Sequence, residues 1–390
     1  MHRAKILRPQ GDDADVKVTS IELFFDLVYV FTIIELENEL YANLTLLGLL
    51  ETAVLFLGVW WAWINTTWAA NVIDPRRGPA VVMMSGLTLA SLVMSSAIPQ
   101  AFGHRGPTFA IAYVIIQLGR SAFMVWVLGS DSTEGRNYVQ LLTWSAIAGV
   151  AWVGGAFIED PHTRLVVWTG AAVLDLTAPL HGYWLPRKGS TPPRAWTLLG
   201  EHLAERCQLI LMIAFGETLL SLGETFTEHH GATGVATAFS AGFVLTFALW
   251  ALYFLRHAER GAAVMTKQPH RAAEIGRSGY AYAHAVMVSG LIVIAVGIKL
   301  SVSAPTESGL AASLCCLGGP ALYLLGILLY RDAIGDQRLG PSLAGLAALV
   351  LLGIPAALFE RLTGLVVAAV IAAALSVSSF RERATAVPGG

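Results

Sequence analysis

The chain has 390 residues, of which 55% are apolar and only 13% charged, with a net charge of −2. Soluble domains carry about 25% charged residues, so a soluble globular fold is excluded. No basic, aromatic-interleaved stretch is present, which removes nucleic acid from the expected partners.

The N-terminus, Met1-His-Arg-Ala-Lys5, is polar and basic, and no apolar core ends in a small-residue cleavage site, so no cleavable signal peptide is expected. Apolar runs of about 20 residues, enough to cross the hydrocarbon layer, then recur to the end of the chain. They predict twelve helices, at 19–40, 46–69, 79–101, 108–129, 138–157, 164–185, 202–225, 234–256, 277–300, 308–330, 340–357 and 360–380. Turn residues such as Asp74-Pro75, Asp160-Pro161 and Gly340-Pro341 separate them. The expected fold is an all-α, polytopic transmembrane bundle whose outer partner is the lipid bilayer. Cys207, Cys315 and Cys316 all fall inside predicted spans, as apolar packing residues rather than a disulfide framework.

Loops on the side of the N-terminus carry 19 of the 25 Lys and Arg residues, and the opposite loops four; Arg120 and Arg206 fall within spans. The positive-inside rule then puts both termini in the cytoplasm of a cell whose cytoplasmic membrane holds the chain. The halves also correspond in part. Met83-Met-Ser-Gly-Leu87 matches Met287-Val-Ser-Gly-Leu291, and Arg164-Leu165 with Ala171-Ala-Val173 matches Arg361-Leu362 with Ala368-Ala-Val370, at offsets of 204 and 197. This predicts a tail at 1–18, a six-helix repeat at 19–185, a linker at 186–201, a second, parallel six-helix repeat at 202–380 and a tail at 381–390. Transporters often place their site between such halves.

A charge at the centre of a span costs about 2.5–3.5 kcal/mol on insertion scales, so ionisable residues there are functional candidates. Glu22 and Asp26 lie four residues apart in the first span and share a face. Arg120 sits in the fourth span and Asp175 in the sixth. The seventh opens on His202, Glu205 and Arg206, with Glu217 three turns deeper on the face of His202 and Arg206. His284 lies two turns into the ninth. Arg120 and Arg206 are the expected partners of Glu22, Asp26, Asp175 and Glu217, because buried charges are paired. The carboxylates outnumber those arginines, and an unpaired carboxylate takes up a proton or a cation. The competing reading is that the pairs merely lock helices together. The tryptophans Trp60, Trp61, Trp63 and Trp68 suit an interfacial belt or, with Trp61 foremost, a stacking wall for an organic substrate. Glu35, Glu37, Glu39 and Glu51 read as a solvated outer face. His202-x-x-Glu205 alone does not complete a metal site, and Gly-x-Ser-x-Gly, Walker and Rossmann signatures are absent, so no metal or cofactor is expected.

Several of these segments carry a resemblance. Glu22-Leu-Phe-Phe-Asp-Leu-Val28 follows Val18-Thr-Ser20, and Trp60-Trp-Ala-Trp63 precedes Ala69-Ala-Asn71. His202-Leu-Ala-Glu-Arg206 leads into Gly216-Glu-Thr-Leu219, and Tyr282-Ala-His284 is followed by Gly290 and Gly297. With these motifs the chain resembles the bacterial low temperature requirement protein A family, departing from it at Trp68 and Cys207. The resemblance implies a multi-pass membrane protein and leaves its reaction open. The expected function is a transporter or permease for a small solute or ion at a cytoplasm-facing polar site. Glu22, Asp26, Glu205 and Glu217 would hold a proton or cation, and Arg120 and Arg206 would act as counter-ions or anion clamps. The alternatives are an integral-membrane enzyme on a lipid or lipophilic metabolite, with His202 or His284 as general base, and a non-catalytic scaffold or sensor.

Overall fold

Prolines set many of the helix ends, and they explain where the predicted elements and the folded ones part. The structure, a computed structural model, describes residues 6–8, 17–336, 339–355 and 360–386. Arg3, Lys5 and Arg338, which enter the positive-side count, and the predicted helix end at 356–357 lie outside the described residues. No strand is present among the described residues. The helices are α1 (Ser20–Ala42), α2 (Leu46–Val72), α3 (Gly78–Ser96), α4 (Gly106–Leu128), α5 (Thr133–Ala156), α6 (Pro161–Thr177), α7 (Gly200–His229), α8 (Val235–Phe254), α9 (Ala258–Lys267), α10 (Ala272–Ile275), α11 (His284–Ser303), α12 (Leu310–Ala333), α13 (Gly340–Gly353) and α14 (Arg361–Ala386).

α3 stops at Ser96 and gives way to a 3₁₀ turn, Ile98–Gln100, at Pro99, five residues short of the predicted 101. α6 stops at Thr177, two residues before Pro179, although apolar character continues to 185. In both cases the proline lacks the N–H that the next turn needs, and its ring crowds the carbonyl four residues earlier. Helix starts follow capping chemistry. Ser132 accepts from Gly135 N at α5, and Asp160 accepts from Thr163 N ahead of Pro161 at α6. The predicted loop at 257–276 folds into α9 and α10, and eight residues of π-helix, Gly276–Ala283, then lead into α11.

Nine helical stretches among the described residues are long and apolar enough to cross a membrane. α1 is not one of them because its acidic residues break the apolar window. At 17 and 14 residues, α6 and α13 are about 25 and 21 Å long. Burial confirms the setting, because it is inverted relative to a soluble protein. Val82, Val150, Val166 and Ile354 are more than 70% exposed, while Glu22, Arg120, His202 and Arg206 are fully buried. Apolar side chains facing outward and charges facing inward are what a bilayer imposes. Glu37, read as part of a solvated face, is also buried within α1.

The chain divides into two compact units. The first comprises 1–39, 46–206 and 268–276, the second 40–45, 207–267 and 277–390. In the first, α4 packs against α2, α3 and α5, and α6 against α2 and α5. In the second, α11 lies along α12, and α8 against α11 and α14. Small residues permit the α11–α12 approach: a Cβ on Gly290 would stand 2.7 Å from the backbone nitrogen of Tyr323, and one on Gly319 2.8 Å from that of Ile294.

Candidate functional site

The first unit holds a network built on Glu22. Thr19 precedes α1, and Glu22, the third helical residue, reaches back to it. Its Oε2 accepts from the Thr19 backbone N–H and hydroxyl, both at 2.8 Å, which is half of a capping box. That leaves Oε1 to face the first turns of α7, where His202 Nε2 approaches to 2.9 Å and Arg206 Nη1 to 3.3 Å. One turn further along α1, Asp26 receives Arg206 bidentately, with Nη2 to Oδ1 at 2.5 Å and Nε to Oδ2 at 3.0 Å. Trp63 of α2 donates its indole N–H to Oδ1 at 2.8 Å. All four carboxylate oxygens therefore meet protein donors.

Arg8 is the member that sequence reasoning missed. Residues 6–8 are pinned beside the end of α2 by Asp74 N to Ile6 O at 2.8 Å and Arg8 N to Val72 O at 3.0 Å. The Arg8 guanidinium, 4% exposed, donates to the carbonyls of Ile73 and Ala70 and stands 3.6 Å from Glu22 Oε1. Nothing in a polar, basic tail distinguishes Arg8 from its neighbours. The signal lies in the buried Glu22, which needs more positive charge than the spans supply.

Asn71 fixes the charge of His202. Its Oδ1 accepts from Leu199 N at 2.6 Å and its Nδ2 donates to Leu199 O at 2.9 Å, so the amide cannot flip without losing both. The same Nδ2 lies 3.2 Å from His202 Nδ1. Nδ1 is therefore an acceptor, the proton sits on Nε2, and Nε2–H is given to Glu22. His202 is neutral. Arg8 Nη2, 3.2 Å from His202 Nε2, is then a second donor aimed at the same carboxylate. Among the described residues the network sets two guanidiniums against two carboxylates.

The remaining candidates lie elsewhere. Glu205, read as a cation ligand, is exposed, and its Oε2 accepts from Val18 N at 3.2 Å. Trp61 is buried in α2, but Trp63 is the tryptophan that reaches Asp26. Asp175 of α6 accepts from Tyr113 Oη at 2.6 Å and Trp152 Nε1 at 3.1 Å. Glu217 and His284 belong to the second unit. There His284 Nδ1 donates to Gly279 O at 2.7 Å inside the π-helical stretch, its Nε2 shares a hydrogen bond with Tyr253 Oη at 2.8 Å, and Tyr280 stacks on its ring with centroids 4.9 Å apart. A nitrogen facing a carbonyl must carry the proton, so Nδ1 is the donor there.

Arg120, expected to pair with a carboxylate, does not. It is fully buried on α4, and its one hydrogen bond is a long one, Nη1 to Thr66 Oγ1 at 3.5 Å. Among the described residues, Nε and Nη2 have no hydrogen-bond partner. Asp175 lies within electrostatic range, as do the hydroxyls of Tyr29, Tyr113, Tyr138 and Tyr183, without an ion pair. Arg164 of the same unit shows the contrast. It also lacks a carboxylate, yet it donates to the carbonyls of Ile158, Ala101 and Gly103 at 2.7–3.1 Å. An open cleft of about 420 Å³ on the unit's surface is lined by Lys17, Thr19, Ser20, Arg76 and Val81 at the start of α1.

Comparison with known proteins places the chain. The family profile described as bacterial low temperature requirement A protein (LtrA) matches residues 17–377. An uncharacterized protein of Rhizobium meliloti (strain 1021), RA0937, is 34% identical over 327 residues, covering 83% of this chain and 78% of that one. No solved structure gives a significant match.

Proposed function

Because the chain belongs to the bacterial low temperature requirement A family of integral membrane proteins, we propose a permease in which Arg120 binds a small anionic solute. One observation carries the reading: a fully buried guanidinium in an apolar span with two nitrogens left without acceptors. Leaving a buried charge without its partner costs about 3–5 kcal/mol, and an anion within reach of Nε and Nη2 would recover most of it. The nearby carboxylates are engaged: Glu22 and Asp26 by Arg206, Arg8, His202 and Trp63, and Asp175 by Tyr113 and Trp152. The Lys17 and Arg76 side chains lining the cleft beside α1 would raise the local concentration of anions.

Glu22, Asp26, His202 and Arg206 take a different role in this proposal. Their donors and acceptors are matched within the protein, so they hold the first turns of α7 against α1 and α2 rather than bind a proton or cation. Both ring nitrogens of His202 and of His284 are engaged, so neither is free to serve as the general base that an enzyme would need at these positions. The wider frame is a cytoplasmic-membrane protein of twelve spans in two parallel six-helix repeats, 19–185 and 202–380, with cytoplasmic termini. The Lys and Arg asymmetry and the matched segments support it.

Proteoliposome flux tests the proposal. Uptake of radiolabelled small anions, including phosphate, glycolate and chloride, is expected with the wild type, to fall at least tenfold in Arg120→Gln, and to survive in part in Arg120→Lys. Equal uptake by wild type and Arg120→Gln would refute it.

A further inference from the structure

Beside Arg120 lies a second unsatisfied group of opposite character. Gln117, one turn earlier on α4 and 1% exposed, donates Nε2 to Tyr113 Oη at 2.8 Å. The Tyr113 hydroxyl in turn donates to Asp175 Oδ2 at 2.6 Å, an oxygen that also receives Trp152 Nε1 at 3.1 Å. The far end of this chain sets its direction. A carboxylate only accepts, so Tyr113 directs its single proton to Asp175 and offers a lone pair to Gln117. The amide is thereby oriented with nitrogen toward Tyr113, and its Oε1, buried, has no donor among the described residues.

Residues three apart on a helix share a face. One face of α4 thus presents two donors without acceptors, Arg120 Nε and Nη2, and one acceptor without a donor, Gln117 Oε1, next to a Ser121 hydroxyl that is also without a partner among the described residues. An anion that only accepts, such as chloride, acetate or sulfate, would satisfy Arg120 and leave Gln117 unpaired. Building on the anion-permease reading, we infer that the ligand is an oxyanion carrying its own hydroxyl: its charged oxygens face Arg120 and its O–H donates to Gln117 Oε1. Small hydroxycarboxylates and protonated inorganic oxyanions share this chemistry. A site built to bond a substrate hydroxyl rejects the analogue lacking it, because its own buried polar group is then stranded.

Two matched pairs test this on the purified full-length chain in detergent: glycolate against acetate, and dihydrogen phosphate against sulfate at pH 6. Binding is read from intrinsic tryptophan fluorescence. The hydroxyl-bearing member is expected to bind at least tenfold tighter in one pair or both. Gln117→Met should bring that ratio to about one, whereas Arg120→Gln should weaken both members together. A wild-type ratio near one in both pairs overturns the inference, and that measurement requires no variant to fold. If Arg120→Gln still weakens every anion in that case, the anion-permease reading stands alone. If no anion binds the wild type, or Arg120→Gln binds them as tightly, both fall.

Discussion

Replacing Arg206 by Met tests whether the Glu22 network is a closed charge balance. Four charges meet there: Glu22 and Asp26 against Arg206 and Arg8, with His202 neutral. Arg206→Met leaves two carboxylates facing one guanidinium, and Asp26 then keeps only the Trp63 indole at 2.8 Å. All of these groups are 4% exposed or less, so water cannot compensate, and removing one partner of such a pair costs about 3–5 kcal/mol. That is a hundredfold or more in the ratio of folded to unfolded protein. Asp26→Asn errs the other way, leaving two guanidiniums and one carboxylate, and should cost a comparable amount. The double variant Asp26→Asn/Arg206→Met returns to one of each, Glu22 with Arg8.

The double variant is therefore expected to be more stable than either single one, with a coupling energy of at least about 2 kcal/mol, above the ~0.3–0.5 kcal/mol scatter of independent sites. Equilibrium unfolding in mixed micelles, followed by the intrinsic fluorescence of the chain's tryptophans, measures all four corners of the cycle. Losses that simply add would refute the balanced network. So would a double variant less stable than both singles.

Three further outcomes follow from the same geometry. Arg8→Ala should destabilise by about 2–4 kcal/mol, more than a tail residue normally does, because it leaves Glu22 and Asp26 with Arg206 alone; adding Glu22→Gln should recover part of the loss in the same unfolding assay. Gly290→Leu should abolish accumulation of folded protein and Gly290→Ala should cost about 1–3 kcal/mol, read as monodisperse yield and unfolding midpoint, because a Cβ there meets the Tyr323 backbone at 2.7 Å. The Asp160 carboxyl, at the exposed start of α6, is held below its usual range by the Thr163 hydroxyl and N–H. A depressed carboxyl stabilises the fold above the unfolded value near 3.9, and that stabilisation fades as pH falls through the folded value. The melting-temperature gap between wild type and Asp160→Asn should therefore be widest at pH 6 and narrow toward pH 3.

Much of this molecule was legible in its sequence because lipid imposes a simple code. Apolar runs gave the helices, and the charges buried inside them gave the candidates. The failures were local and physical. Hydropathy carried the third and sixth helices past Pro99 and Pro179, because leucine and alanine count as apolar whether or not the backbone can remain helical. The π-helical stretch before His284 has no signature in periodicity, since its register follows from packing. Trp63 and not Trp61 meets Asp26, a choice between neighbours that depends on the rotation of α2 and not on residue type. Arg8 could not be found by scanning spans, because it arrives from a tail and is held by backbone pairing with the end of α2.

Arg8 also reverses an inference about the sign of the solute. Counted within spans, carboxylates outnumber arginines, and the surplus argues for a proton or a cation. With Arg8 included and His202 neutral, the surplus at Glu22 and Asp26 disappears, and all four carboxylate oxygens have protein donors. Asp175 receives a phenol and an indole, both on Oδ2. Around Arg120, the hydrogen-bonding capacity left unmet among the described residues includes donors, its Nε and Nη2. A cation would be repelled there by the guanidinium. An acceptor-rich, negatively charged solute complements both Arg120 and Gln117 if it brings one hydroxyl. The residue that removes the case for a cation is thus the one that leaves Arg120 as the group to test first.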